Sequence, residues 1–570
     1  MRGIYGIYDG EAVRLEGDKE GRCKMENLCI TFYGEIHNSV ELINILERAG
    51  YKFTLGTDAE LVACAYREWG EECPKSFNGT FSFCVYDKDK RSLFLARDPV
   101  GTKLLYYIVH DGRFSFSSDL NTLTLKTGFP RDVDLRALNF FLAYRYIPEE
   151  LSIFRIVRKI PPACSMSFDL ESREFKIRKY WNPPTIEAKT GDENELLDEL
   201  EKLIISALEI RMEGAGVFLS GGLDSSILVA LMTELLSNPI KTICVGFQDK
   251  KYSELPFARM VAEKFGTDHA EFIVEPNFDE FLKSASIFDE PLGDPSIFPT
   301  YYAGKLAGDF GLNIVAGDGA DSLFLGNKFH YQVVRYGEIN RYLVPPLDLI
   351  LKQLIRLVPR EAKWRIYLEN RSVVEFYRVR EVVFSEYMRR RLLQDWVVSE
   401  LKNEISEPER RWIRNSGTIT EVMTLTTFTS NEDILFKNER VANHFSYHVR
   451  TPFLDTRVND FAFGKVPGGL KIRSGVLKYL LKKLAMKYLP ANFPFERSKG
   501  FNPPFGKWIR RDWREQVSDL LLSGNDHFFN KNYIEFLLKQ NDKRFLDQDR
   551  KLFSLLVFKI WESRYLGTGN

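Results

Sequence analysis

The pattern of apolar and polar positions changes once along this chain, near residue 185. Before that point short alternating runs predict β-strands, and two of them, 81–86 and 92–97, flank the polar turn 87–90 as a predicted hairpin. Further predicted elements are strands 28–32, 104–109 and 113–117 and helices 38–49 and 58–69. This mixture predicts stacked sheets with flanking helices.

The polar stretch 181–194 predicts a linker, because it combines two prolines with glycine and charged residues. After it an amphipathic helix is predicted over 194–211, and strands then alternate with helices. These elements are strands 215–219, 241–246, 270–274 and 312–316 and helices 223–237, 254–266, 278–288 and 297–309. Their order predicts a doubly wound, mostly parallel sheet. From about Leu323 the pattern is predominantly helical, and we expect this part to wrap the ligand side of the sheet.

The length and composition of the chain limit the possible classes of protein. At 570 residues it is too long for one core, so we expect an α+β domain over 1–184 and an α/β domain over 185–570. The second is expected to have a core at 195–330 and a helical remainder at 331–570. Lys plus Arg and Asp plus Glu both total 79, and this balance favours neither nucleic acid nor an anionic membrane surface as a partner.

Targeting and compartment follow from the apolar runs and the cysteines. Residues 1–11 reach acidic positions too early for a signal peptide. The most apolar long stretch, 343–358, is broken by prolines and charged residues, which argues against a membrane span. Seven scattered cysteines without a Cys-x-x-Cys pair favour buried free thiols in a reducing, cytoplasmic compartment.

The strongest chemical pattern is a loop at residues 220–226, which we call the nucleotide loop. It joins a predicted buried strand to a predicted helix, and Gly221 and Gly222 let its backbone approach a phosphate closely. The hydroxyls of Ser220, Ser225 and Ser226 are expected to contact the same phosphate. The loop lacks the lysine of a Walker A loop. An ordinary turn of small residues is the alternative interpretation.

Three aspartates suggest a metal in the same crevice. Asp224 lies within the nucleotide loop, where a carboxylate suits anion binding only if it holds a cation such as Mg²⁺ beside the pyrophosphate. Asp318 and Asp321 lie in a glycine-rich segment at the exit of the fourth predicted strand. Strand exits meet at one edge of a parallel sheet, so these residues are placed to share a metal with Asp224. A turn that caps a helix is the alternative.

These motifs resemble those of known families. The nucleotide loop resembles that of the ATP pyrophosphatase superfamily, which cleaves ATP between the α and β phosphates. The segment 315–326 resembles a motif of the asparagine synthetases, and five further segments follow that family in the same order. They are 290–296, 433–440, 449–455, 477–481 and 497–501.

The resemblance implies ATP and Mg²⁺ as cofactors and assigns candidate site residues. Asp224 and Asp321 would bind the metal, and Asp318 would face the acyl substrate, although Ser322 stands where the family usually has glutamate. The implied nucleotide-binding residues are Leu219, Ser220, Gly221, Gly222, Asp224, Ser225, Ser226, Val245, Gly246 and Gly317. The implied catalytic residues are Asp318, Lys478, Arg497 and Lys499, and cations suit a pyrophosphate leaving group.

The front of the chain resembles a class II glutamine amidotransferase domain of the N-terminal-nucleophile fold. The matching segments are 34–36, 57–60, 77–81, 93–98, Gly101, Lys103 and 105–107. Such domains use a cysteine directly before the Gly3-Ile4 position, and here Arg2 stands there. Tyr33 replaces an asparagine associated with the oxyanion hole, whereas Asp58, which would hold the amine of glutamine, remains.

In the family, the stretch between the start of the chain and the motif at 34–36 usually carries an arginine. That stretch is shortened here, which agrees with the other departures. Cys23 and Cys29 are internal and cannot supply the α-amine that serves as the base. We therefore expect a retained but inactive glutaminase domain.

The expected function is asparagine biosynthesis or a related amide synthesis. A carboxylate, aspartate by default, would be adenylated by ATP, and ammonia or another amine would then release AMP. The alternatives are an intramolecular amide-forming enzyme similar to β-lactam synthetases, and a non-catalytic scaffold or sensor. Transfer RNA thiolation or lysidine formation is disfavoured, because no basic RNA-binding appendage is evident. Expected partners are small molecules without nucleic acid or membrane, and the resemblance allows a homodimer.

Overall fold

The computed structural model describes most of the chain and leaves several segments undescribed. The described residues are 3–148, 150–184, 191–332, 335, 382–406, 423, 431–496, 501–524, 526–542 and 548–567. The predictions for Arg2, for the apolar stretch 343–358 and for Arg497 and Lys499 therefore lie outside the described residues, as does part of the predicted linker.

The front of the chain contains eleven described strands in two antiparallel sheets. They are β1 (Ile4–Tyr8), β2 (Val13–Gly17), β3 (Arg22–Met25), β4 (Leu28–Ile36), β5 (Gly79–Asp87), β6 (Ser92–Arg97), β7 (Tyr106–His110), β8 (Arg113–Ser117), β9 (Arg158–Lys159), β10 (Cys164–Asp169) and β11 (Phe175–Lys179). One sheet has the order β2-β1-β8-β7-β9 and the other β11-β10-β6-β5-β4-β3. The predicted hairpin is β5 and β6, which pair from Ser82 opposite Arg97 to Asp87 opposite Ser92.

The two sheets stack face to face because their alternating apolar residues point into one shared core. Phe114 of β8 and Phe168 of β10 meet across this core with ring centroids 4.6 Å apart. The outer face of the six-stranded sheet is covered by α1 (Ser39–Arg48) and α2 (Asp58–Trp69), where Thr57 caps α2 by accepting the N–H of Glu60. A 3₁₀ helix (Gly70–Ser76), α3 (Leu120–Thr127) and α4 (Leu135–Tyr144) complete this part. The predicted sandwich with flanking helices is confirmed.

The second part of the chain is built on a parallel sheet of five described strands. They are β12 (Ala215–Phe218), β13 (Lys241–Phe247), β14 (Asp268–Val274), β15 (Asn313–Val315) and β16 (Val449–Arg450), in the order β14-β13-β12-β15-β16. The chain moves outward from β12 through β13 to β14 and then returns to the other side of β12 with β15. The order reverses there, so a crevice opens between the carboxyl ends of β12 and β15.

Helices cover both faces of this sheet, as the predicted doubly wound fold requires. They are α5 (Glu193–Glu209), α6 (Leu223–Leu235), α7 (Leu255–Phe265), α8 (Phe278–Ser286), α9 (Ile297–Asp309) and α10 (Ala320–Phe324). Successive residues of β13 point to opposite faces: Cys244 packs with α6 and α7, and Ile243 packs with α9. The rhythm of apolar runs therefore predicted this architecture correctly.

The described remainder is mainly helical and adds the edge strand β16. Its helices are α11 (Glu386–Leu392), α12 (Asp395–Leu401), α13 (Asn431–His444), α14 (Thr456–Gly464), α15 (Gly468–Lys471), α16 (Tyr479–Tyr488), α17 (Phe505–Arg510), α18 (Arg514–Leu522), α19 (Lys531–Asp542) and α20 (Asp549–Tyr565), with 3₁₀ helices at Lys402–Ser406 and Pro452–Leu454. A short hairpin joins β17 (Ile472–Arg473) to β18 (Val476–Leu477). All seven cysteines are free, and among the described helices none is long and apolar enough to cross a membrane.

Candidate active site

The nucleotide loop lies at the carboxyl end of β12 and leads directly into α6. Gly221 has a φ of +69°, and a β-carbon there would lie 2.5 Å from the backbone of Phe257 and Ala258 at the start of α7. Only glycine tolerates both this conformation and this approach without strain. The loop is therefore pressed against a neighbouring helix, and its backbone is held in one conformation.

The serine hydroxyls of the loop are arranged around its turn. Ser220 Oγ lies 3.1 Å from Ser225 Oγ and accepts the N–H of Gly222 at 3.2 Å. The hydroxyl of Ser226 is buried and has no hydrogen-bond partner among the described residues. A buried hydroxyl without a partner is uncommon in proteins, and such a group can donate to an oxygen of a bound phosphate.

Asp224 lies in the first turn of α6 and faces the exit of β15. A β-carbon on Gly317 would lie 2.9 Å from the β-carbon of Asp224, so glycine is what lets the two elements approach. Burial raises the pKa of Asp224 to about 6; Lys478 acts against this rise, and Asp321 and Asp318 add to it. The carboxylate is therefore held in a position that favours a nearby cation.

Lys478 supplies such a cation in the structure. Its ammonium nitrogen lies 2.6 and 2.5 Å from the two carboxylate oxygens of Asp224 and 2.6 Å from Oδ1 of Asp321. Lys478 is itself buried, with a φ of +51° at the residue before α16. The structure thus brings together three of the residues that the sequence predicted, although they come from distant parts of the chain.

The same geometry provides a test of whether a magnesium ion fits. A single positive atom touches both Asp224 and Asp321, so these two carboxylates can share one cation. The side chain of Asp321 is 60% exposed, which leaves room for phosphate oxygens and water on the other side. Within the described part of the chain, no group of three or more His, Cys, Asp or Glu side chains could hold a metal. Two carboxylates plus substrate phosphates are the usual ligands of Mg²⁺.

Asp318 follows Gly317 at the exit of β15 and is held by α13. Its Oδ2 accepts a hydrogen bond of 2.8 Å from the side-chain amide of Asn438. Burial raises the pKa of Asp318, and the ammonium of Lys437 and the bond from Asn438 act against this rise. A carboxyl group in such surroundings can exchange a proton with an amine.

Sequence reasoning missed Lys437 and Asn438 as neighbours of this site. Lys437 Nζ lies 2.9 Å from Asp294 and 2.5 Å from the hydroxyl of Ser296, both in the segment 290–296. A usable signal was present, because residues 437–440 are four consecutive polar residues inside a helix, between Phe436 and Val441. Lys437, Glu439 and Arg440 are nonetheless buried, and buried charges need specific partners.

The remaining predicted positions divide between the crevice edge and the undescribed residues. Val245 and Gly246 lie at the carboxyl end of β13, beside the strand that carries the nucleotide loop. Ser322 is buried on α10, one residue after Asp321. Arg497 and Lys499 are not described, so their roles stay predictions.

The residues that resemble a glutamine pocket lie at the contact between the two parts of the chain. Asp58 Oδ2 accepts the N–H of Ile36 at 3.0 Å, and burial raises the pKa of Asp58 to about 6. Glu35 accepts two bonds from Arg450, at 3.0 and 2.6 Å. The hydroxyl of Tyr33 donates to Glu439 at 2.5 Å. Two of these residues therefore bind the second part of the chain directly.

Comparisons with known proteins agree with this arrangement. A model of the family named asparagine synthase matches residues 199–563, and a model of the glutamine amidotransferase domain matches residues 19–181. Asparagine synthetase (glutamine-hydrolyzing) 1 of Bacillus subtilis (strain 168) is 28% identical over 547 residues, covering 94% of this chain and 86% of that protein. Asparagine synthetase (glutamine-hydrolyzing) 3 of the same organism is 23% identical over 544 residues, covering 91% and 82%.

The matched residues include the nucleotide loop, the two metal-binding candidates and strands β3 to β11 of the front sandwich. The family model alone spans more than half of the chain. With its front glutamine amidotransferase domain and its doubly wound ATP pyrophosphatase domain, this chain belongs to the asparagine synthase family of ATP-dependent, AMP-forming amide ligases.

Proposed function

We propose that this enzyme adenylates a carboxylate, aspartate by default, and joins it to ammonia or another amine that its own front domain does not produce. The adenylation half of this proposal rests on one observation. Beside the nucleotide loop, the ammonium nitrogen of Lys478 lies 2.5–2.6 Å from carboxylate oxygens of both Asp224 and Asp321. This is a charged crevice at the point where ligands bind in open α/β sheets.

In this proposal the residues of the chain bind and orient the substrates. The backbone and hydroxyls of the nucleotide loop hold the β and γ phosphates of ATP, which leave as pyrophosphate. The carboxylate of the acyl substrate attacks the α phosphate and forms an acyl-adenylate. Asp224 and Asp321 would hold Mg²⁺, which when bound neutralises phosphate charge.

The second half of the reaction takes place beside Asp318. An amine attacks the acyl carbon, the amide forms and AMP leaves. Asp318 accepts a proton from the attacking amine, and Asn438 keeps its carboxylate turned to one side. Lys478 and, by the resemblance, Arg497 and Lys499 supply positive charge to the departing phosphates.

The proposal that the amine comes from elsewhere is supported by the front domain. Arg2 stands directly before Gly3, where the resemblance requires a cysteine, and a guanidinium is not a nucleophile. Tyr33 occupies the position of the oxyanion-hole asparagine, and its hydroxyl is engaged with Glu439. We therefore expect ammonia, or an amine carried by a substrate, to be the nitrogen source.

The decisive experiment is ATP–pyrophosphate exchange by the full-length chain with a panel of carboxylates, followed by amide synthesis with ammonium or glutamine. We expect exchange with aspartate, no exchange in the presence of a chelator, and amide formation with ammonium only. Equal rates with glutamine would overturn the proposal on nitrogen. AMP release from a substrate that carries its own amine, without added ammonium, would favour the intramolecular alternative. Absence of exchange with every carboxylate would favour a non-catalytic protein.

A further inference from the structure

Residues 437–440 of α13, which we call the α13 turn, contact four different parts of the molecule. Asn438 donates to Asp318 at 2.8 Å, and Lys437 contacts Asp294 at 2.9 Å. Both of these partners belong to the ATP pyrophosphatase domain, and Asp318 is the residue proposed to face the acyl substrate. The first two residues of the α13 turn are therefore part of the proposed substrate site.

The third residue, Glu439, is bound by the front domain. One carboxylate oxygen of Glu439 accepts from Lys103 Nζ at 2.7 Å, and the other accepts from the hydroxyl of Tyr33 at 2.5 Å. Lys103 Nζ also lies 4.5 Å from the centre of the Tyr33 ring. All three side chains are buried, with at most 7% of each residue exposed, so this is a charge pair shielded from water.

The fourth residue, Arg440, reaches a second part of the front domain. Its Nε and Nη2 bind the two carboxylate oxygens of Asp289 at 2.8 and 2.6 Å. The same guanidinium donates to the carbonyl of Ser118 at 3.2 Å, and Asp289 accepts the backbone N–H of Leu120 at 2.9 Å. Two adjacent residues of one helix therefore have partners in the front domain.

The geometry of a helix turns these contacts into a clamp. Successive residues of an α-helix point about 100° apart, so four consecutive side chains point in four directions around the axis. Partners on all four sides fix both the rotation and the height of that turn. Because the pair of Glu439 and Lys103 is buried, removing one member leaves a charge without compensation, and the helix must move or admit water. Asn438, the neighbour of Glu439, would then lose its alignment with Asp318.

We propose that Lys103 and Tyr33 are positioning residues for the acyl-substrate site: acting through Glu439, they hold Asn438 against Asp318 in the neighbouring domain. The front domain is then a required part of the synthetase site, whether or not it hydrolyses glutamine. This inference rests on the proposed function, in which Asp318 faces the acyl substrate. Neither Lys103 nor Tyr33 contacts a reacting group in this scheme.

The test compares Lys103→Met, Tyr33→Phe and Asn438→Leu in the full-length chain by ATP–pyrophosphate exchange. We expect Lys103→Met and Asn438→Leu each to raise KM for the carboxylate about 10-fold, while KM for ATP changes less than about 2-fold. Tyr33→Phe should also raise KM for the carboxylate, by a smaller factor, and should leave KM for ATP nearly unchanged. The double variant Lys103→Met with Asn438→Leu should have the same KM for the carboxylate as Asn438→Leu alone, because both changes act on one interaction.

Glu35→Gln is the matched control, since it removes a different ion pair between the two domains. Its partner Arg450 also donates to the carbonyls of Arg211 and Glu213, away from the α13 turn. The control should leave KM for the carboxylate unchanged. If Lys103→Met raises KM no more than Glu35→Gln does, or adds fully to Asn438→Leu, the inference is wrong. Tyr33→Phe keeps the test decisive if Lys103→Met does not fold.

A second measurement separates this inference from the proposed function. Hydrogen exchange of the amides of α13 should quicken in Tyr33→Phe and Lys103→Met and stay unchanged in Glu35→Gln. Unchanged hydrogen exchange of α13 in all three variants would overturn the clamp even if the enzyme is active. If the unaltered chain exchanges no pyrophosphate with any carboxylate, the proposed function fails, and the hydrogen-exchange result still decides whether the clamp exists.

Discussion

Two places in the molecule hold two neighbouring carboxylates, at least one of which binds a basic side chain, and the two basic side chains are of different kinds. At the contact between the domains, Arg450 binds Glu35, and Asp58 is a near neighbour of Glu35. In the ATP crevice, Lys478 binds Asp224 and Asp321. Both sites come from motifs that the family shares, yet their cations are held in different ways.

The difference lies in what else each cation binds. Arg450 uses two donors on Glu35 and directs Nη1 to the carbonyls of Arg211 and Glu213. A planar guanidinium with so many fixed partners is a structural tie. The ammonium of Lys478 is a compact charge on a flexible stem, and its two partners are carboxylates that a metal can also use. The comparison indicates a permanent link between domains in one place and an exchangeable cation in the other.

The most severe way to test this contrast is to make the same substitution at both sites. Asp224→Asn should lower the rate of ATP–pyrophosphate exchange by about 10³-fold or more, because an oriented charge near the transferred phosphates is lost. Asp58→Asn should leave that rate within about 2-fold of the unaltered chain. Circular dichroism should show both variants folded. Equal losses at both positions would contradict the division of roles.

Replacement of the Lys478 ammonium by a metal ion in the ATP crevice can be measured directly. Lys478→Gln should reduce pyrophosphate exchange about 100-fold and, without ATP, should bind Mn²⁺ about 10-fold more tightly than the unaltered chain. The reason is that the ammonium no longer competes for the two carboxylates. Binding can be followed by the electron paramagnetic resonance of free Mn²⁺. Arg450→Gln is the control, and tighter Mn²⁺ binding in that variant would show that the effect is not specific to the crevice.

The smallest expected effect is on stability and depends on pH. Because the pKa of Asp58 is raised to about 6 in the folded protein, the folded state holds its proton more tightly than the unfolded state does. Stability is therefore lost as pH rises from about 4 to about 6, and Asp58→Asn, which cannot ionise, should avoid that loss.

We expect this variant to be more stable by on the order of 1–3 kcal/mol at pH 8 and equally stable near pH 3.5. Urea unfolding at the two values of pH would measure the difference. A gain at pH 3.5 as large as that at pH 8 would mean that ionisation of Asp58 is not the cause.

The parts of the fold that sequence patterns predicted are those that depend on nearby residues. The strand, turn and helix around the nucleotide loop follow from an apolar run, two glycines and an amphipathic stretch within about twenty residues. The predicted strand 113–117 and helix 58–69 agree with β8 and α2 at both ends. Here local preference and tertiary packing favour the same structure.

What the patterns could not supply depends on contacts between distant residues. The edge strand β16 has only two residues, too few for any periodicity, and it is defined by its pairing with β15. The contact of Lys478 with Asp224 spans 254 residues, and that of Asn438 with Asp318 spans 120. The resemblance to the family motif predicted a role for Lys478, but the partners of Lys478 and the contact of Asn438 required the fold.

The late position of β16 and Lys478 also bears on how the protein is made. A chain emerging from the ribosome presents the nucleotide loop and β15 long before residues 449 and 478 follow. During that interval Lys478 cannot yet bind Asp224 and Asp321, and the edge of β15 that pairs with β16 lacks that strand. An exposed strand edge is a site for pairing with other chains, so we expect this edge of the nascent protein to be open to such pairing until residue 449 follows.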